Sequence, residues 1–444
     1  MRVAIRRKHL SPCASFVGIA FLSYASGAAA MFYQLPSSEW LTNAFLGARS
    51  WRERPSAPPP AAEKPKEAPA PVVADVDRPD KTCDGFTLYT CTTGQHSGTQ
   101  AWLVNMRREV VHLWTIPFGE IRPDLRRSDN SVSFFATYLY PNGDLLAVCQ
   151  GARAYGLAKF DAASNLIWFC PRNIHHDVDV AEDGTIYAVE DDFSYDPPKG
   201  LEGMATPYAA DSLLALSPDG KPLREPIPLL RAICESPYAA LLANLEGPEA
   251  SFRPPLGSTA PQITRARTLS GLNDATHTNC VRVLRAELAP KFPSFQAGQV
   301  LVSLRSLSVL ALIDPLTGRA VWAARGPWLA QHDPQFLENG HLLVFDNLSS
   351  PRGSRVLEYD PQAQALPWSY PGTSGNRFYT SERGMNQRLP NGNTFIVISE
   401  AGKMIEVTFE GELVWSHSLD GFIASGRRYL PEQLEFLPAN TLAR

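Results

Sequence analysis

A unit of roughly 40 to 60 residues recurs along the chain, and this repeat constrains the fold more than any other feature. Each unit begins with a turn signal, continues with two short β-rich runs, and ends with a third run that often finishes in Trp. The Asn-Gly and Asp-Gly signals are Asn142-Gly143, Asp183-Gly184, Asn339-Gly340 and Asn391-Gly392. Such dipeptides between apolar runs are strong signals for β-hairpins. Each unit is therefore predicted to be a small antiparallel sheet.

Two further units begin near Gly85 and Val300, which brings the number to six. One unit cannot bury both faces of its sheet, whereas six units around an axis can. We therefore predict that residues 81–444 are an all-β, six-bladed β-propeller. A Pro-rich, partly helical insertion is expected at about residues 222–299. The alternative, a β-sandwich with chance similarity between its parts, does not explain the recurrent Trp.

An uncharged apolar run at residues 14–35 precedes the repeats and follows four basic residues. Such a run of roughly 20 residues can just span a bilayer. Because basic flanks stay in the cytoplasm, residues 1–13 are predicted to be a cytoplasmic segment and residues 14–35 a transmembrane anchor or uncleaved signal. The alternative is a cleaved signal peptide, since Ala28-Ala29-Ala30 resembles a cleavage site. The run is long for that, because a signal peptide's apolar core has about 7–15 residues.

Residues 36–80 are rich in Pro, Ala, Glu and Lys, and they are expected to form a juxtamembrane segment and an extended linker. The propeller would then be held at the inner membrane by a single pass, in the periplasm or outside the cell. The net charge of -4 and the lack of a basic patch argue against nucleic acid as a partner.

Six of the seven cysteines follow the predicted anchor. An even number in an oxidising compartment permits disulfides, and Cys83 and Cys91, which flank one strand-like stretch, are the pair we predict. For the other cysteines, buried free thiols are an equally good interpretation. No Cys-x-x-Cys motif is present, so zinc fingers and thioredoxin chemistry are not expected.

Three histidine positions precede the predicted inner strands of successive units: the pair His175-His176, then His277, then His332. Inner strands line the central channel of a propeller, so these side chains are expected to converge on one pocket. Arg305, at the end of the second strand of the middle unit, could reach the same place. A lone His is more often a structural hydrogen-bonding group, but periodic placement favours a functional set.

Three histidines with an open position would also suit zinc. Arg305 in the same pocket would repel a cation, however, so neither a metal ion nor any other cofactor is predicted.

Several short motifs along the repeats resemble the arylsulfate sulfotransferase family. They are His176-Asp177-Val178, His277-Thr278-Asn279, Ser303-Leu304-Arg305, Gln331-His332-Asp333, Phe345-Asp346-Asn347 and the longer stretches 354–359 and 387–394. The resemblance implies a six-bladed propeller in the periplasm. It also implies transfer of a sulfuryl group from a phenolic sulfate ester to a phenol acceptor, without a nucleotide sulfate donor.

By this resemblance, His332 would be the nucleophile that becomes sulfated, and His277 and Arg305 would bind and polarise the sulfate. His176 would lie on the opposite wall. The resemblance leaves open whether His175 or His176 has that place, and the acid that follows favours His176. His175 and Asn279 are expected to contact substrate. The alternative function is a non-catalytic, membrane-anchored propeller that binds a ligand or a protein, because a propeller fold alone does not decide.

Overall fold

Six sheets, each of four antiparallel strands, account for the strands of the computed structural model. The structure describes residues 75–444 except for residues 122–131, 152–153, 205, 243–273, 351–352, 374–377, 439–440 and 442–444. We number the sheets as blades 1 to 6 along the chain and give the strands of each blade from the innermost to the outermost.

Blade 1 combines residues from both ends of the described chain, and blades 2 and 3 follow it in chain order. Blade 1 consists of β24 (Ile423–Tyr429), β1 (Phe86–Cys91), β2 (Gln100–Val104) and β3 (Val110–Thr115). Blade 2 consists of β4 (Val132–Leu139), β5 (Leu145–Gly151), β6 (Ala154–Phe160) and β7 (Leu166–Cys170). Blade 3 consists of β8 (Ile174–Val180), β9 (Ile186–Ser194), β10 (Tyr208–Leu216) and β11 (Ile227–Pro228).

The other three blades follow in simple chain order. Blade 4 consists of β12 (Thr278–Val283), β13 (Val300–Leu304), β14 (Val309–Asp314) and β15 (Arg319–Ala324). Blade 5 consists of β16 (His332–Phe336), β17 (Leu342–Asp346), β18 (Arg355–Asp360) and β19 (Ala365–Tyr370). Blade 6 consists of β20 (Met385–Arg388), β21 (Thr394–Ile398), β22 (Lys403–Val407) and β23 (Leu413–Ser418).

The innermost strands form a ring, since each contacts the innermost strand of the next blade. The ring closes when β24, near the C-terminus, pairs with β1 and so completes the first blade, with Phe86 opposite Tyr429. The first residues of the inner strands therefore lie at one mouth of the central channel and their last residues at the other. This arrangement brings the starts of β8, β12 and β16 together, although they are far apart in sequence.

The recurrent Trp at the end of each unit links neighbouring blades. Indole N–H groups on four outermost strands donate hydrogen bonds to main-chain carbonyls of the next blade: Trp114 to Gly143, Trp168 to Pro218, Trp368 to Phe409 and Trp415 to Met106. A buried indole needs such a partner, because an unsatisfied N–H is costly. The repeat therefore encodes contacts between blades as well as the strands within them.

The prediction of an all-β, six-bladed propeller is confirmed. Part of the range 222–299, however, belongs to the blades, because it contains β11 and the whole of β12. Between them, the short helix α2 (Leu229–Cys234) packs buried Leu and Ile side chains against the hydrophobic core of blades 3 and 4. A four-residue helix, α1 (Phe118–Ile121), precedes blade 2.

The predicted pair of Cys83 and Cys91 is wrong, because the six cysteines in the described part of the chain are free thiols. Cys83 precedes β1 and Cys91 ends it. An extended strand advances about 3.3 Å per residue, so it holds the two thiols too far apart for a disulfide.

The predicted anchor at residues 14–35 and most of the linker at residues 36–80 lie outside the described residues. No candidate membrane-spanning helix is found among the described residues.

Candidate active site

Three inner strands carry β-bulges beside the predicted histidines. The strand pairing is irregular between His175 and Val178 in β8, between Thr278 and Val281 in β12, and between His332 and Gln335 in β16. A bulge redirects side chains and is common next to active sites. The backbone is left-handed at His176, His277 and Asp333, with φ of 57°, 45° and 44°. Such strain, at about 1–3 kcal/mol per residue, tends to accumulate at functional sites.

His332 is buried, and its ring is held in one tautomer by its partners. Nδ1 lies 2.8 Å from Asn347 Oδ1 and 3.1 Å from the Ala330 carbonyl oxygen, so it must carry the proton. The Asn347 amide cannot turn round freely, because its Nδ2 donates to the carbonyls of Thr380 and Arg383. Nε2 accepts a hydrogen bond from the Arg383 main-chain N–H at 3.2 Å, which places the lone pair there.

His332 is also kept uncharged. Burial lowers its pKa well below the usual value for histidine, and the positive charge of Arg305 lowers it further, against the opposing hydrogen bond to Asn347. A neutral imidazole with its lone pair on the nitrogen that faces the substrate is the nucleophilic form of histidine. The site therefore holds a nucleophile in its reactive form beside a fixed cation.

Arg305 begins a 3-10 turn that follows β13, and its main-chain N–H donates to the His277 carbonyl at 3.2 Å. Its guanidinium Nη2 donates to the Ser381 carbonyl at 3.3 Å, which leaves further N–H groups for a ligand. Burial lowers the pKa of Arg305, while the carboxylates of Glu382 and Asp274 raise it. Arginine stays charged under these conditions and can bind two oxygens of an anion at once.

His277 and His176 contact each other across the junction of blades 4 and 3, with ring centroids 4.8 Å apart. Asp274 orients His277, because its Oδ2 lies 2.8 Å from Nδ1 while its Oδ1 accepts the His277 main-chain N–H. Burial lowers the pKa of His176 well below the usual value, and the neighbouring His277 and His175 lower it further. Two imidazoles thus lie together near the nucleophile, where either can exchange a proton with a substrate.

His175 and Asn279, the other two residues predicted to contact substrate, lie in different surroundings. His175 is buried and turned toward the carboxylates of Asp191 and Asp211, at 3.4 and 3.3 Å, rather than toward His277. Asn279 is also buried, and its Nδ2 donates to the Gln331 carbonyl, while its Oδ1 has no hydrogen-bond partner among the described residues. The residue beside His277 is therefore His176 and not His175. The acid that follows His176 does not hold it there.

Asp177 and Asp333, the acids next to two of the histidines, bind Arg282 instead of an imidazole. Arg282 Nη1 lies 2.5 Å from Asp177 Oδ2, and Nη2 lies 2.6 Å from Asp333 Oδ1. Arg427 adds a second cation at 3.1 Å from Asp333 Oδ1. This ion-pair layer lies across the channel, between the histidines and a cavity of about 560 Å³ at the opposite mouth.

The three predicted histidines do not form a metal centre in the described part of the chain. Two sets of potential ligand atoms lie within 4.8 Å of one another, and neither includes His176, His277 or His332. One set is Asp177, Cys280 and Asp333, and Arg282 already supplies the positive charge there. The other set is His175 with its two aspartates.

Sequence reasoning missed Arg383, which lies just before β20 and is buried among the predicted residues. Its guanidinium stacks on the Phe135 ring at 3.6 Å, and its Nη1 donates to the His176 carbonyl at 3.1 Å. Burial lowers its pKa to about 10. Its backbone is left-handed, with φ of 59°, but no sequence motif marks the position. Asn347 had a signal, because it ends the motif Phe345-Asp346-Asn347.

Taken together, the mouth of the channel presents a neutral nucleophilic histidine, two guanidinium groups and two further imidazoles. Such donors suit a small anion with several oxygens, and the nucleophile can attack its central atom. The four residues that were predicted to be catalytic therefore lie at one mouth of the channel.

Comparison with known proteins identifies the family of the chain. The family model described as Arylsulfotransferase (ASST) matches residues 138–420, which is well over half of the chain. No curated protein matches the chain.

Solved structures resemble the chain only distantly. A protein of unknown function from Bacteroides caccae has 13% identity and a TM-score of 0.46, with 78% of this chain and 99% of that one covered. A protein from Lactobacillus plantarum has 10% identity and a TM-score of 0.41, with 78% and 100% covered. Virginiamycin B lyase from Staphylococcus aureus has 8% identity and a TM-score of 0.34, with 65% and 70% covered. Similarity at this level does not bear on chemistry. The family match covers well over half of the chain, and it shows that the chain belongs to the arylsulfotransferase (ASST) family.

Proposed function

We propose that this protein transfers a sulfuryl group from a phenolic sulfate ester to a phenol through a sulfated His332, without a nucleotide sulfate donor. The observation that carries the proposal is the state of His332: buried, neutral, protonated at Nδ1, and with the Nε2 lone pair on the side of Arg383. Family membership supports the general class of reaction.

In the first half of the reaction, Nε2 of His332 attacks sulfur, so that an N–S bond forms as the S–O bond to the phenol breaks. Sulfuryl transfer should resemble phosphoryl transfer, with a loose transition state and charge on the peripheral oxygens. The Nδ1 proton stays in place, because its partners are two carbonyl oxygens that cannot remove it. The sulfated ring therefore becomes positively charged and readily gives up the group in the second half.

Charge on the transferred group is stabilised by donors that are already in place. Arg305 supplies a guanidinium fork, and the Arg383 main-chain N–H, which binds Nε2 of His332, is next to the atom that receives sulfur. Preorganised donors of this kind contribute strongly to catalysis, because they need no rearrangement as charge develops.

The phenol oxygen needs a proton when it leaves and must lose one when the acceptor attacks. His176 and His277 lie in contact with each other beside the nucleophile. General acid and base catalysis by a positioned side chain contributes about 10²–10⁴-fold. We assign that role to His176, and we assign to His277, whose Nδ1 is held by Asp274, the role of binding a sulfate oxygen.

We also propose that residues 14–35 anchor the protein in the inner membrane and that the propeller lies on the far side, in the periplasm or outside the cell. The uncharged run and the basic residues before it support this orientation. Protease added to intact spheroplasts should degrade the propeller. A propeller that stays protected would show that the orientation is reversed.

The function is tested by mass spectrometry of the full-length protein after exposure to 4-nitrophenyl sulfate. The peptide that contains His332 should gain one sulfuryl group, and addition of phenol should remove it and yield phenyl sulfate. His332→Asn should abolish both results. The matched control is His112→Asn, because His112 lies on β3, the outermost strand of blade 1.

Full transfer by His332→Asn would contradict the assignment of the nucleophile. Binding of aryl sulfates without any turnover by the unaltered protein would contradict the proposed activity and favour a binding scaffold.

A further inference from the structure

A line of contacts leads away from His176 into the interior of blade 3. Nδ1 of His176 lies 2.7 Å from Nδ1 of His175. On the other side of the His175 ring, Nε2 lies 3.3 Å from Asp211 Oδ1 and 3.4 Å from Asp191 Oδ2. Both carboxylates thus meet one nitrogen of the His175 ring, the other nitrogen meets His176, and His176 reaches the candidate active site.

The two acids are brought there by a long hairpin. β9 and β10 have nine residues each, and in their pairing Asp191 lies directly opposite Asp211. Asp211 is buried, and its Oδ2 is fixed by the Thr276 hydroxyl at 2.5 Å and the Thr278 main-chain N–H at 2.7 Å. Burial acts to raise the pKa of Asp211, but the neighbouring His175 and the two threonine contacts hold it below the usual value. Asp211 is therefore ionised and faces His175 with its other oxygen.

We propose that Asp211, Asp191 and His175 form a proton relay that sets the protonation of His176 at Nε2, the nitrogen left for the substrate. This inference rests on the proposed function and adds positioning residues to it. His175 and the two acids act through His176 and do not touch the substrate.

The contact between the two Nδ1 atoms admits two arrangements, since one nitrogen must donate and the other accept. In the first, His175 is an imidazolium whose Nε2–H faces the carboxylates, and its Nδ1–H donates to Nδ1 of His176, which then carries its own proton on Nε2. In the second, His175 is neutral, and His176 carries its proton on Nδ1 and a lone pair on Nε2. The two arrangements differ by one proton.

Release of the donor phenol interconverts them. The departing phenolate takes the Nε2 proton of His176 while Nδ1 of His176 takes the proton from His175, so His176 stays neutral throughout. In the second half of the reaction the acceptor phenol gives its proton to Nε2, and the Nδ1 proton returns to His175. Each proton that leaves the relay in one half is restored in the other, and no further reagent is needed.

The surroundings explain why the positive charge should lie on His175 rather than on His176. His176 faces His277, His332 and the guanidinium of Arg383, and all three oppose a charge on it. His175 faces Asp191 and Asp211, which favour a charge. A carboxylate that pairs with an imidazole also fixes its tautomer and orientation. The relay thus separates the charged ring from the sulfate site by one imidazole.

The first test is independent of activity. Solid-state NMR of the full-length, ¹⁵N-histidine-labelled protein should show a coupling across a hydrogen bond between two Nδ1 atoms, and Asp211→Asn should weaken or remove it. If the unaltered protein shows no such coupling, the relay is wrong, whatever its enzymatic activity. If the coupling is present but no aryl sulfate is turned over, the contact stands and the proposed function fails.

The second test uses the leaving group. Phenyl sulfate releases a weakly acidic phenol that needs a proton, whereas 4-nitrophenyl sulfate releases a stable anion. Asp211→Asn and His175→Gln should each lower kcat for phenyl sulfate by about 100-fold, within the range for general acid catalysis, and should change kcat for 4-nitrophenyl sulfate far less. The control is Asp192→Asn, because Asp192 is the exposed neighbour of Asp191 on the same strand.

Equal losses on both substrates in a folded variant would indicate a purely structural role and overturn the relay. A stoichiometric metal ion held by His175 and the two aspartates in protein purified without added metal would also overturn it. If Asp211→Asn does not fold, the NMR result on the unaltered protein decides.

Discussion

The main-chain N–H of Arg383 donates a hydrogen bond to Nε2 of His332, over a distance of 3.2 Å. This bond occupies the lone pair that we propose as the nucleophile. When a sulfate ester binds, the N–H must turn from nitrogen to a sulfuryl oxygen, and it is already in the neighbourhood where negative charge develops. The same donor would therefore protect the resting nucleophile and stabilise the transition state.

This donor depends on the left-handed backbone at Arg383, with φ of 59°. Asn tolerates that conformation and a β-branched residue does not. Arg383→Asn and Arg383→Val both remove the guanidinium, but only the Val variant should displace the N–H. We expect Arg383→Val to have a kcat about tenfold lower than Arg383→Asn, since about 1–2 kcal/mol of backbone strain is involved. Steady-state kinetics with 4-nitrophenyl sulfate would check this, and equal rates would contradict it.

Arg305 should be needed for its geometry as well as its charge. Loss of one preorganised donor to a developing anion typically lowers kcat by about 10²–10³-fold, and we expect that for Arg305→Gln. Arg305→Lys should retain part of the rate, because it keeps the charge but loses the planar fork. Arg319→Gln, which alters an exposed arginine of β15, is the control. If Arg305→Gln lowered kcat no more than the control does, Arg305 would not contact the transferred group.

The pH dependence should follow His332. Because burial and Arg305 lower its pKa, the nucleophile stays neutral as pH falls below about 6.5, the ordinary value for histidine, and activity should persist there. An anion at position 347 would stabilise the protonated ring and raise that pKa. Asn347→Asp should therefore move the acid limb of kcat/KM to higher pH, measured for the first half of the reaction.

Asn142→Asp is the matched control for this prediction, since it makes the same chemical change in the exposed turn between β4 and β5. An acid limb that does not move in Asn347→Asp would show that another group controls it.

Stability of the ring should depend on one ion pair beside the closing strand. Arg428 on β24 lies 3.2 Å from Glu406 on β22, and both side chains are fully buried. Removal of one partner leaves a buried charge, so Arg428→Met should lower the free energy of unfolding by about 3–5 kcal/mol. Arg428→Met combined with Glu406→Gln should recover part of the loss in urea unfolding. Lys221→Ala, at an exposed ion pair, should leave the urea midpoint unchanged.

The sequence predicted the part of the site that the repeat determines. His277 and His332 begin or precede inner strands, and a ring of strands brings such positions together whatever the loops between them do. The blade count follows from the same turn signals. These features depend on the local pattern of residues and on the repetition of the unit, and both can be read from a single sequence.

The remainder depends on irregular backbone. Arg383 lies in a coil segment with a left-handed residue, and no periodicity predicts where its side chain points. Asp211 lies on the third strand of its blade and reaches the inner strand because β8 has a bulge and the β9–β10 hairpin is long. Asp177 was expected to mark His176 as the site residue, yet it binds Arg282, because the bulge changes the alternation of side chains.

The layer of Arg282 with Asp177 and Asp333 has a consequence for the order in which the two phenols leave and enter the site. Because these ion pairs cross the channel below the histidines, they separate the sulfate side from the cavity at the opposite mouth in the part of the chain that the structure describes. The spent phenol must then leave by the route through which its replacement arrives. Parallel lines in double-reciprocal kinetics, the signature of a ping-pong sequence, are expected from the sulfated His332, and a shared route for the two phenols is consistent with that order.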